Sequence, residues 1–92
     1  MDQYKDLINK ELLKLKEAMD FVVFDYKKIT SDEAINNRES EDYNKYINQY
    51  ALDFQLLSQL REYSQNIADL CNKLMFKISK DALEKHLYEY DN

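Results

Sequence analysis

The chain of 92 residues contains no glycine, no proline and no tryptophan. At average usage, about 7% of residues are glycine and about 5% are proline. Without glycine, neither a P-loop nor a dinucleotide-binding turn forms, because both need it for close backbone approach to phosphate. The single cysteine, Cys71, excludes an intramolecular disulfide scaffold. These absences favour an all-α protein with long helices and very short connections.

Length and charge narrow the classes of partner. A chain of this length is one domain, residues 1–92, with a thin core. The net charge is −5, and residues 31–66 carry three cations against seven acids. An acidic chain without a basic stripe lacks the phosphate-neutralising groups that nucleic-acid binding needs, and anionic membranes repel it. We therefore expect neither direct nucleic-acid binding nor membrane binding.

Localisation is predicted from what the sequence does not carry. The first ten residues have no basic segment followed by an apolar one, and no apolar run is long enough to span a bilayer. A lone thiol suits a reducing compartment. The expected location is the cytoplasm, and the abundance of Asn, Lys, Ile and Tyr is typical of AT-rich bacterial or phage genomes.

Helical spacing organises the chain into a first helix at about 3–28 and a second at about 42–78. In the first helix, apolar residues recur every three or four positions, at Tyr4, Ile8, Leu12, Leu15, Met19, Val22, Tyr26 and Ile29. The second helix carries one stripe at Tyr43, Ile47, Tyr50, Phe54, Leu57, Arg61, Ser64, Ala68, Cys71, Met75 and Ile78. A neighbouring stripe consists of Tyr46, Tyr50, Leu57, Leu60, Ile67, Cys71, Leu74 and Ile78. Two adjacent stripes make a wide apolar face.

Two segments carry helix-start signals. Thr30 with Glu33 forms a capping box, and Ser40 offers a second start, so residues 30–41 are interpreted as a turn plus a weak helical extension. Ser79 and Asp81 offer another start. This start signal predicts a short third helix at about 80–90. The alternative is that the second helix continues without interruption. The expected fold is an elongated antiparallel helical hairpin or three-helix bundle.

The two long helices differ in length, which predicts a partner. A hairpin turning at 30–41 would cover residues 42–68 and leave the later apolar residues without an intramolecular contact. Those residues are Ile67, Leu70, Cys71, Leu74, Met75, Phe76 and Ile78. Soluble monomers seldom expose so large an apolar patch. We expect a homo-oligomer, a dimer or higher, or a protein partner of another kind.

Catalytic and metal-binding constellations are not found in the sequence. His86 is the only histidine, no Glu stands three residues before it, and no second ligand pattern accompanies it. Cys71 lies on an apolar stripe without an adjacent base, as a small buried hydrophobe does. We predict no catalytic residue, no metal site, no cofactor and no enzymatic activity.

Tyrosine is the most distinctive component of the second helix. Tyr43, Tyr46 and Tyr50 share one face, where tyrosine serves as core filler, as an interface anchor or as a stacking platform for a ligand. The predicted protein interface comprises Tyr43, Tyr46, Tyr50, Leu60, Arg61, Ile67, Leu70, Leu74, Met75 and Ile78. The alternative is a nucleotide-like ligand held by those tyrosines together with Tyr26, Lys27, Lys28, Arg38 and Lys45.

Charged residues allow two further interpretations. The acidic cluster between Asp32 and Asp42 is either a solvated helix-start cluster or a mimic of nucleic-acid phosphates. Asp53 and Arg61 interrupt the apolar stripes, as residues that fix helix register or oligomer state do. The sequence as a whole favours a small acidic protein–protein interaction protein, an inhibitor or adaptor of the phage or mobile-element type.

Overall fold

The computed structural model describes the backbone of residues 2–91 and the side chains of residues 6–85. The described backbone forms three α-helices, α1 (Asp2–Ile29), α2 (Asp32–Arg38) and α3 (Tyr43–Asp91). Helices α1 and α3 pack antiparallel, and α2 packs against the first turns of α3. The molecule measures 74 × 18 × 15 Å. The predicted elongated all-α hairpin is confirmed.

The first connection is made by two hydroxyl side chains. Thr30 Oγ1 donates a hydrogen bond to the carbonyl oxygen of Tyr26 at 2.6 Å and so prolongs the end of α1. Ser31 adopts φ −65° and ψ 155°, and its side chain accepts a hydrogen bond from the Ala34 N–H at 3.2 Å. The cap of α2 is therefore Ser31, and the predicted capping box that begins at Thr30 is wrong by one residue.

The second connection uses Ser40 and Asp42 in the same way. Ser40 Oγ accepts from the Asp42 N–H at 3.1 Å, and Asp42 Oδ1 accepts from the Asn44 N–H at 3.0 Å. Throughout residues 2–91, every φ angle is negative. Both reversals are thus built without the left-handed conformation that glycine would supply.

Helix α3 runs without a break through the segment where the sequence predicts a separate helix at 80–90. Asp81 does not cap a new helix. Its carboxylate lies 3.7 Å from the Lys85 ammonium, one turn onward in the same helix. Good helix formers surround Ser79, and without a Gly or Pro the weak start signal does not interrupt the hydrogen-bond ladder. The 49 residues of α3 span about 74 Å at 1.5 Å per residue.

The contact between α1 and α3 follows a regular alternation of three and four residues, as in a coiled coil. On α1 the buried and half-buried side chains are Ile8, Glu11, Leu15, Ala18, Val22, Asp25 and Ile29. On α3 they include Leu56, Leu60, Tyr63, Ile67, Leu70, Leu74 and Lys77, preceded by Gln49 and Asp53 beneath α2. We call these two rows the seam.

Helix α1 covers a later part of α3 than residues 42–68, the part predicted from the helix lengths. Because α2 packs on the first turns of α3, α1 meets α3 from about residue 56 onward. Ile67 and Leu70 are therefore half-buried, and Leu74 is 6% exposed. The expectation that the hairpin leaves these three residues uncovered is wrong, whereas Met75, Phe76 and Ile78 are indeed exposed.

Candidate protein interface

One broad side of the hairpin is covered with exposed apolar side chains, each one residue after a seam position. A step of one residue turns the helix by about 100°, so in an antiparallel pair these positions project to the same side from both helices. From α1 they are Leu12, Met19, Val23 and Tyr26. From α3 they are Tyr50, Phe54, Leu57, Met75 and Ile78, with Arg61, Ala68 and Cys71 between them. We call this surface the apolar face.

The opposite broad side mixes charged and apolar side chains. Lys14, Glu17, Asp69 and Lys73 lie there beside the exposed apolar residues Leu7, Phe21, Phe24 and Phe76. Both helices line a shallow groove there, formed by Lys14, Ala18, Asn66, Asp69, Leu70 and Lys73. Phe21 stacks on the seam residue Tyr63 with ring centroids 5.3 Å apart. These residues are seam positions or directly precede them, so they define the side that faces away from the apolar face. The two broad sides of one hairpin therefore differ in degree, because acids and bases alternate with apolar residues on this side, whereas Lys16 and Arg61 are the charged residues on the apolar face.

The seam itself is incompletely covered. Leu15, Val22, Leu60 and Ile67 lie in the middle of the hairpin, yet all four are only half-buried. In heptad geometry, these four positions lean toward the apolar face. Tyr63 and Leu70 lean toward the opposite side and are half-buried too, because two helices without a third layer leave both sides of the seam open.

At the start of α3, the apolar face continues beyond the end of α1 as a tyrosine-rich segment. We call it the tyrosine end, and it consists of Tyr43, Tyr46, Ile47, Tyr50 and Phe54, all exposed. Tyr43 and Phe54 expose 71% and 68% of their surface. These aromatic rings therefore do not pack in the core of a single chain.

A polar cluster fixes α2 beside the tyrosine end. The Arg38 guanidinium donates to both oxygens of Asp53, at 2.6 and 2.9 Å, and also to the carbonyl oxygen of Ile29. Gln49 donates to Asp53 at 2.8 Å and accepts from Asn37 at 3.2 Å. The hydrogen bond from Arg38, aided by that from Gln49, lowers the pKa of Asp53 against the opposing effect of burial. Asp53 thus joins all three helices through Arg38.

The groups predicted to bind a nucleotide-like ligand are separated. Arg38 is held by Asp53, and the Lys28 ammonium lies 5.0 Å from the centre of the Phe24 ring. Lys28 and Lys45 line a cleft of about 410 Å³ between α2 and α3, to which Tyr26, Tyr43, Tyr46 and Tyr50 do not contribute. Lys27 is exposed on the last turn of α1. The structure brings two predicted cations together, but without the predicted stacking platform.

The predicted interface residues fall into two groups. Leu60, Ile67, Leu70 and Leu74 belong to the seam. The exposed group consists of Tyr43, Tyr46, Tyr50, Arg61, Met75 and Ile78. Leu12, Met19 and Leu57, which the sequence identifies as apolar but not as interface residues, join the exposed group. Sequence periodicity finds them, but it does not reveal which of two adjacent rows packs inside.

Other kinds of site receive no support from the described residues. No cluster of three or more His, Cys, Asp or Glu within them has a geometry that would hold a metal ion. None of the described helices combines the length and apolarity that crossing a bilayer requires. The side chain of His86 lies outside the described residues. No protein-family model, curated protein or solved structure matches the chain.

Proposed function

We propose that this protein is a non-enzymatic interaction protein whose apolar face binds protein. The observation that carries the proposal is the row of exposed apolar side chains on one side of both long helices, a row that contains no acidic residue. Large exposed apolar patches on small proteins mark interaction surfaces. Aromatic residues and methionine are enriched in the cores of such interfaces, whereas acidic residues are depleted.

The tyrosine end is the proposed anchor for a partner other than this chain. Tyrosine combines a large apolar ring with a hydroxyl and is enriched among the residues that dominate binding energy. Tyr43, Tyr50 and Phe54 are more than half exposed. Their position beyond the end of α1 leaves them open to a partner helix or loop. The finer role of a phage or mobile-element inhibitor or adaptor is still a prediction from composition.

Binding of a nucleotide-like ligand is the weaker alternative. It requires tyrosine stacking and free cations at one place, whereas Arg38 is already paired with Asp53. The cleft that contains Lys28 and Lys45 also contains Glu33, whose carboxylate opposes an anionic ligand. A rise in melting temperature on addition of nucleotide, lost in Lys45→Ala, would favour this alternative.

Selective capture tests the proposed function. Wild-type chain, Tyr50→Asp and Phe76→Asp are immobilised and exposed to extract of the source cell, and retained proteins are identified by mass spectrometry. Phe76 is an exposed aromatic residue outside the apolar face, so Phe76→Asp controls for the added charge. We expect a protein other than this chain to be retained by wild type and Phe76→Asp and lost from Tyr50→Asp. Equal retention by all three would contradict the proposal.

A further inference from the structure

We infer that the hairpin part of the apolar face is covered by a second copy of this chain, so that two hairpins form a four-helix bundle. The residues concerned are Leu12, Met19, Tyr26, Leu57, Cys71, Met75 and Ile78. This inference deepens the proposed function by naming the occupant of one part of the face. It leaves the tyrosine end for another partner.

The hairpin has very little interior of its own. Among residues 6–85 the buried apolar residues are Ala34, Leu56 and Leu74, which is a very small core for a folded domain. Seam residues stay half-buried on both sides of the hairpin, Leu15 and Val22 toward the apolar face and Tyr63 and Leu70 away from it. A layer placed on the apolar face would complete the burial of Leu15 and Val22 and cover Met19 and Met75 in the same step.

The spacing of the face matches a second antiparallel hairpin. A helix in a four-helix bundle needs two adjacent apolar rows, one for each neighbouring helix. Both α1 and α3 have this arrangement, because a largely apolar row, interrupted by Lys16 on α1 and by Arg61 and Ser64 on α3, follows each seam row at the same three-four spacing. A hairpin with two such helices is complementary to itself, and twofold symmetry lets the same surface serve both chains.

Area and charge agree with this occupant. The hairpin part of the face, about 42 Å along the 28 residues of α1 and 18 Å wide, offers about 760 Å², close to the roughly 800 Å² per partner of a standard interface. The charged residues that share the row positions of the face are Lys16 and Arg61, two cations in a chain of net charge −5. The acids that keep this chain soluble lie elsewhere, so the repulsion between two copies is not concentrated at the contact.

Two neighbouring residues provide a matched test. Met75 is 65% exposed on the apolar face, and Phe76 is 71% exposed on the other side of α3. The molar mass of wild type, Met75→Asp and Phe76→Asp is measured by light scattering and sedimentation equilibrium. We expect twice the mass of the 11.1 kDa chain for wild type and Phe76→Asp. For Met75→Asp we expect at least a roughly hundredfold weaker dimer, because a buried unpaired carboxylate is costly.

The native thiol gives a second measurement that does not depend on whether a variant folds. Cys71 is half-buried within the hairpin and lies on the apolar face. Its reaction with a soluble disulfide reagent is followed in wild type and in Phe76→Asp at increasing protein concentration. We expect the rate of the Cys71 reaction to fall by roughly tenfold or more as the dimer forms. Circular dichroism reports folding in parallel.

Several outcomes would overturn the inference. In the mass measurements, they are a monomeric wild type, an assembly larger than a dimer, and dissociation by Phe76→Asp but not by Met75→Asp. In the thiol measurement, the contradicting outcome is a Cys71 reaction rate that does not change with concentration, although light scattering shows that the protein dissociates over the same range. None of them depends on the tyrosine end. If these tests fail while Tyr50→Asp still abolishes capture of another protein, the dimer is wrong and the proposed function stands.

Discussion

Two carboxylates in the seam of α1 are unusual for a small core. Glu11 and Asp25 are 8% and 5% exposed, and one oxygen of each, Oε2 and Oδ2, has no hydrogen-bond partner. A buried polar atom without a partner costs free energy, because water no longer solvates it. Both residues lean toward the side of the hairpin opposite the apolar face. They distinguish that side from the apolar face, where a carboxylate would oppose a second layer.

Replacing Asp25 by leucine is expected to stabilise the protein. Asp25→Leu removes the unpaired oxygen and adds apolar contact in the seam, so the free energy of unfolding should rise by about 1–3 kcal/mol. Asp20→Leu is the control, since Asp20 is exposed on the same helix and its replacement should change stability by less than about 0.5 kcal/mol. Urea denaturation measures both. A loss of stability in Asp25→Leu would mean that the carboxylate is bonded.

The ion pair of Arg38 and Asp53 predicts a dependence of stability on pH. The pKa of Asp53 is lowered on folding, so its contribution is present above the ordinary carboxyl pKa of 3.8 and is lost as pH falls through the lower folded value. Arg38→Gln should lower stability by about 1–2 kcal/mol at neutral pH and by less below pH 3. Urea denaturation between pH 2 and 7 tests this. Lys85→Gln, which breaks an exposed pair, should change little. An equal loss for Arg38→Gln at every pH would contradict the prediction.

The helices show which features of the fold the sequence periodicity predicts and which it does not. The stripe from Tyr43 to Ile78 is correctly found, and so are the reversals near residues 30 and 41, because hydroxyl and carboxylate side chains cap helices in recognisable patterns. The residues of this stripe are nevertheless not the ones that pack against α1. From Tyr50 onward, each follows a seam residue by one position, so the stripe is the exposed row of α3. Two apolar rows lie side by side, and the choice between them depends on where α1 lies. That position depends in turn on α2, which the sequence leaves open.

The cap of α2 is directly testable. Ser31→Ala removes the acceptor of the Ala34 N–H and should reduce stability by about 1 kcal/mol. Thr30→Ala removes only an exposed hydroxyl bonded to Tyr26 and should have a smaller effect. Hydrogen exchange at the Ala34 amide reports the cap itself. If the Ala34 amide exchanged faster in Thr30→Ala than in Ser31→Ala, the cap would be Thr30, as the sequence pattern predicts.

The molecule as a whole has an apolar face, an opposite side of mixed character and very little interior. The absence of glycine and proline explains this shape, because nothing interrupts α3 and the chain does not fold back to cover its own surface. Helix lengths alone predict an uncovered patch at the far end of α3. The structure instead distributes exposed apolar side chains along both long helices, as a row on the apolar face and singly, at Leu7, Phe21, Phe24 and Phe76, on the opposite side. The proposed contact with a partner therefore lies on the side of the hairpin rather than at its end.

Solution scattering distinguishes these two arrangements. The single chain has a radius of gyration of 20.9 Å. Two hairpins packed side by side are separated by about 10 Å, which adds only about 1 Å to that value. End-to-end assembly through an uncovered terminus would bring it to about 40 Å for rods of this length. We therefore expect a radius of gyration near that of one chain together with twice its mass. A dimeric mass with a radius close to the larger value would locate the contact at the end of α3 and exclude the bundle.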